Sequence, residues 1–124
     1  MLSAVMLLAP GCERRPEPRA SREEPVRRAA YRSLLARDFL ASCPAGRGQS
    51  VPPAEAIRYQ ELKRLAFEKG AGHAVWLGEN DFAAVRRLSR PAPCAAGGRP
   101  YRAARAGYGG ALDVLAGRIA EYRP

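Results

Sequence analysis

The side chains best suited to chemistry in this chain of 124 residues lie close together. His73 is the sole histidine and Trp76 the sole tryptophan, and Glu79 and Asp81 follow within a few residues. A histidine beside carboxylates can carry protons, and two carboxyl groups with separated pKa values divide into acid and base. Trp76 would add an apolar wall. The spacing does not build such a site: Glu79 and Asp81 stand two apart, which on a helix splays them. Ser50 and Ser89 have no base nearby in sequence, and no P-loop, GxSxG, HExxH or dinucleotide fingerprint occurs. We expect no enzyme, no catalytic residue and no cofactor. The plainer roles are Asp81 at a helix N-terminus, Glu79 in water, His73 in an exposed loop and Trp76 plugging one end of a helical core.

The cysteines are Cys12, Cys43 and Cys94. None belongs to a CxxC pair, and one histidine does not complete a tetrahedral zinc site with them, so no metal is expected. If Cys12 is occupied otherwise, Cys43 and Cys94 remain as a pair, and a pair in an oxidising compartment forms a disulfide. The alternative is two free thiols in a cytoplasmic protein.

Met1 to Ala9 is an apolar run followed by Pro10, Gly11 and Cys12. It is far shorter than the roughly 20 residues that cross a bilayer core of about 30 Å, but long enough for the apolar part of a secretory signal. A small residue followed by cysteine after such a run resembles the bacterial lipoprotein signal, in which the cysteine becomes the lipidated first residue. Gly11 and Cys12 match that pattern; Leu8 stands one place earlier than its aliphatic position, and no Lys or Arg precedes the run. The resemblance covers residues 1–12 and implies an exported, membrane-anchored protein with Cys12 as the lipid site. Residues 13–25, with three prolines and many charges, read as a disordered tether. Residues 26–124 are left as the helical domain.

The formal net charge is +9 and the isoelectric point about 10.3. Such a balance suits an anionic partner: phospholipid, another anionic component of the cell envelope, an acidic protein or nucleic acid. All but two of the basic residues are arginine, and Ala, Gly and Pro are abundant. A GC-rich genome yields this composition without selection for binding. No helix-turn-helix, CxxC finger or aromatic platform interleaved with basic residues supports nucleic acid. A cytosolic basic helical module contacting phosphates is therefore the alternative, and an envelope protein acting by binding or structural interaction the preferred reading. Oligomeric state is not legible.

The strongest periodic element is Tyr101 to Tyr122. Tyr101, Ala104, Tyr108, Leu112, Leu115, Ile119 and Tyr122 recur at steps of three and four, within about 80° of arc on a helix. Gly107, Gly109 and Gly110 weaken its first half, leaving either one bent helix or a break after Ala106. An earlier helix is expected from Pro25 to Ala41, or a turn sooner if Ser21 and Glu24 form a capping box. Val26, Ala30 and Leu34 make one of its apolar rows, and Tyr31, Leu35 and Phe39 the other. Pro52 and Pro53 open the next helix and Gly70 ends it, with Ile57, Leu62, Leu65 and Ala66 as core candidates. Asn80 is expected to cap a short third helix from Asp81 to Leu88.

An all-α, up-down four-helix bundle follows, since each stripe must be buried on other helices. In that order both connections that carry Cys43 and Cys94 lie at one end. The tether, Gly70–Asn80 and Tyr122 lie at the other end. His73, Trp76, Arg27 and Arg28 thus form a candidate binding surface near the membrane.

Overall fold

Alanine-rich segments punctuated by proline and glycine form four helices: α1 (Arg19–Ala41), α2 (Pro53–Glu68), α3 (Gly72–Leu88) and α4 (Gly98–Glu121). The computed structural model describes residues 17–43, 51–90, 94 and 98–124, and no strand occurs among them. Residues 1–16, with the lipoprotein-like signal, Cys12 and the start of the tether, lie outside the described residues, as do 44–50, 91–93 and 95–97.

Helix direction alternates along the chain. The Arg27–Asp81 and Asp38–Arg86 ion pairs align α1 parallel to α3. Glu55–Arg105 and the bonds from Lys69 Nζ to the Ile119 and Ala120 carbonyls, 2.9 Å each, align α2 parallel to α4. The bundle is therefore up-down-up-down, as expected. Only one consecutive pair is adjacent: α1 packs on α3 and α4, α2 packs on α3 and α4, and the pairs α1–α2 and α3–α4 sit across diagonals. The end of α1 and the start of α4 are neighbours at one end. Cys43 and Cys94 meet there in a disulfide with Cα atoms 4.7 Å apart.

Helix α4 is continuous through its glycines, and Ala104, Tyr108, Leu112, Leu115, Ile119 and Tyr122 are all buried. Tyr101 is half-buried at the rim. In α1 the Val26, Ala30 and Leu34 row is buried as read, but the second buried row is Ala29, Ser33 and Leu40. Tyr31 and Leu35 are half-buried and Phe39 is exposed, because α3 and α4 approach from the other side of the first row.

Two starts differ from expectation. Helix α1 begins at Arg19, so residues 19–25, read as tether, are helical with Pro25 inside. Glu23 anchors this first stretch: its carboxylate is buried and held by Arg19 within α1 and by His73 of α3. Helix α3 begins at Gly72, not at Asp81, which makes Asp81 a mid-helix residue and not a cap partner. The start is launched by the turn that closes α2. Gly70 adopts φ +84°, Gly70 N–H donates to the Phe67 carbonyl, and Ala71 N–H donates to the Ala66 carbonyl, the two bonds of a Schellman ending. Ala74, Val75 and Gly78 are then buried, which outweighs the cap-like Asn80.

In α2 the buried row is Tyr59, Leu62 and Ala66. Ile57, Leu65 and Phe67 are exposed, contrary to the core assignment of the first two. Tyr59 enters the interior because its hydroxyl donates to Glu79 at 2.7 Å, which satisfies the polar tip of a buried ring.

The α1–α3 seam is tight enough to test. A Cβ on Gly78 would lie 2.5 Å from the Arg27 carbonyl oxygen and 2.9 Å from Ala30 Cβ, and backbone cannot swing aside. Gly78→Ala is expected to cost about 1–3 kcal/mol by overpacking, despite its gain in helix propensity. Gly110→Ala meets open space and is expected to stabilise by up to about 1 kcal/mol. Urea unfolding of the two variants would show midpoints moving in opposite directions; movement in the same direction would refute the close approach.

Candidate functional site

The end of the bundle where α1 and α3 begin gathers the most concentrated polar chemistry. Glu23 is only 3% exposed although it is a carboxylate. Nδ1 of His73 donates to its two oxygens at 2.9 and 3.2 Å, and Arg19 Nε donates at 3.2 Å. Burying a carboxylate costs several kcal/mol unless it is paired and hydrogen-bonded, and both partners supply that. Trp76, one turn along α3 from His73, stacks on the imidazole with ring centroids 5.6 Å apart. The indole is 51% exposed, so it forms a shelf beside His73 and not the core plug of the plainer reading.

A carboxylate holding one imidazole nitrogen is the way a general base is oriented. Here no hydroxyl or thiol is hydrogen-bonded to His73 among the described residues. No group of three His, Cys, Asp or Glu side chains among them is placed to hold a metal ion.

The other acids of the stretch go elsewhere. Glu79 faces α2, accepting from Tyr59 and pairing with Lys63 Nζ at 2.9 Å. Burial, reinforced by the Glu79 carboxylate, raises the Tyr59 phenol well above its usual range. Asp81 faces α1 and is gripped by both arms of Arg27, at 2.7 and 2.9 Å. The hydrogen bond from Arg27 holds the Asp81 carboxyl below its ordinary value, and the same bond raises the guanidinium. His73, Glu79 and Asp81 therefore serve three different contacts.

The four residues of the expected binding surface divide in the same way. His73 and Trp76 are together and exposed. Arg27 is committed to the α1–α3 seam, and the adjacent Arg28 pairs with Glu24 at 2.9 Å and faces the α1–α4 seam. Sequence reasoning missed Glu23. Its signal was available: Glu23 stands three residues before Val26, in phase with the Val26–Ala30 row, and a carboxylate in phase with a buried row needs a partner. The opposite, disulfide end is the more basic in sequence, since residues 84–109 contain six arginines and no acid. Among them Arg86 pairs with Asp38 and Arg105 with Glu55.

No family model, curated protein or solved structure matches this chain.

Proposed function

We propose that the chain is a small exported helical protein of the cell envelope, lipid-anchored through Cys12, that acts by binding an anionic envelope component and carries no chemistry of its own. The Cys43–Cys94 disulfide carries this reading. Such bonds persist in exported proteins and are rare in a reducing cytosol, which weighs against the nucleic-acid alternative. The position of α1 is consistent with a tether: its N-terminus lies at the end that also holds the α2–α3 turn and the last turn of α4. A short linker from Cys12 would turn that end toward the bilayer surface, where an exposed indole such as Trp76 is well accommodated. No helix among the described residues is long and apolar enough to cross a membrane.

Palmitate labelling and fractionation test the proposal. The native protein is expected in the membrane fraction with label, and Cys12→Ser to lose the label and accumulate as precursor. Recovery of the native protein from the cytosol with Cys43 and Cys94 as free thiols would overturn it.

A further inference from the structure

The seam between α1 and α4 does not close along its lower half. The residues facing each other there are too small to fill it, with Ala29 on α1 opposite Ala111 and the half-exposed Val114 on α4. A Cβ built on Gly117 would meet nothing within 4 Å. The result is a groove of about 430 Å³ with an apolar floor and a rim that includes Arg28, Arg32 and Arg118. Pro25, Arg118 and Glu121 also line a second hollow of about 230 Å³, which continues the groove to the tether end and adds Arg22 and Arg123. The larger hollow alone lies within the range of about 300–1,000 Å³ found for small-molecule sites.

We propose that this groove binds one anionic phospholipid, with the phosphate among the arginines at the lower mouth and the first part of an acyl chain on Ala29, Ala111 and Val114. Several observations select this occupant. The floor is apolar while guanidinium groups outnumber carboxylates at each hollow, three to two (Arg28, Arg32 and Arg118 against Glu24 and Glu121; Arg22, Arg118 and Arg123 against Glu17 and Glu121), a balance complementary to a molecule with an anionic head and an apolar tail. Nε of Arg22 is buried at the mouth with no hydrogen-bond partner among the described residues, and a buried donor of this kind calls for an acceptor. Arg32 has no ion-pair partner among those residues either. The pairs Arg28–Glu24 and Arg118–Glu121 are exposed pairs within single helices; such pairs contribute little and exchange readily for a phosphate. The lower mouth lies where α1 starts, the end that a lipidated Cys12 would hold at the bilayer surface.

The source of the ligand rests on the envelope reading, but the binding itself is measurable on purified protein. The full chain with Cys12→Ser, which carries no acyl group of its own, would be titrated calorimetrically. The probes are dihexanoyl phosphatidylglycerol below its micelle concentration, dihexanoyl phosphatidylcholine and inorganic phosphate. We expect one phosphatidylglycerol per chain, bound about tenfold or more tighter than either other probe. Arg118→Glu and Arg123→Glu, both at exposed positions of the lower mouth, should each weaken it by about tenfold, and Val114→Trp should block it by filling the floor, all three with unchanged thermal unfolding. Equal binding of the two lipids would overturn the headgroup assignment. Phosphate binding as tight as the lipid would overturn the role of the floor. Indifference to the charge reversals and to Val114→Trp would place the ligand outside the groove. Cytosolic fractionation of the native protein would remove the envelope reading separately, because none of these titrations depends on it.

Discussion

Replacing Cys43 and Cys94 together by alanine is expected to lower the unfolding free energy by roughly 4 kcal/mol, the chain-entropy value for a loop of this length. The bonded residues are separated by 51 positions, so the closed loop takes in the whole of α2 and α3. In the unfolded chain the bond confines that half of the domain, and its removal restores that freedom. A domain of about 100 residues is held by only about 5–15 kcal/mol in total, so this one bond amounts to a large share. It also joins the two connections that span the diagonals, so its loss should loosen the α1–α4 corner first. Urea unfolding with and without reductant would check this. The wild-type midpoint should fall sharply on reduction, and the double-alanine variant should be indifferent. A wild-type midpoint unmoved by reductant would mean that the bond does not constrain the fold.

Leu115→Ala is expected to cost about 2–5 kcal/mol, the usual range for a fully buried leucine. Leu115 is 0% exposed and sits midway along the α4 stripe, among Leu112, Ile119 and Tyr108. Truncation removes its transfer free energy and leaves a cavity that these neighbours cannot close, since each is also fully buried. Val114 is the control: it is adjacent in sequence but 50% exposed, and Val114→Ala is expected to stay within about 0.5 kcal/mol, as surface substitutions do. Arg105→Ala, off the stripe and in a surface pair with the half-buried Glu55, should cost far less than Leu115→Ala. Equal effects at Leu115 and Val114 in chemical denaturation would show that the stripe is not the core.

What could be read along the chain was whatever depends on local periodicity and local backbone chemistry. The α4 stripe is legible because steps of three and four put seven apolar residues on one face whatever they pack against. The limits of α2 are legible because Pro53 needs no amide partner in a first turn and Gly70 tolerates the left-handed φ that ends a helix. The disulfide was legible from the cysteine count on the exported reading, together with alternating helix direction, which places both connections at one end. Tertiary structure decided everything that depends on which helices are neighbours. The order around the bundle puts α1 beside α3, and only then does Gly78 become a required close approach, with Arg27–Asp81 and Asp38–Arg86 along the same seam. Those partners lie about fifty residues apart, beyond the reach of any periodicity. The same contact extends α1 back to Arg19 through Glu23 and His73, and carries α3 through a glycine-rich start that propensity disfavours. The groove between α1 and α4 is likewise invisible in one dimension. It exists because small residues on two helices, each unremarkable alone, are brought face to face.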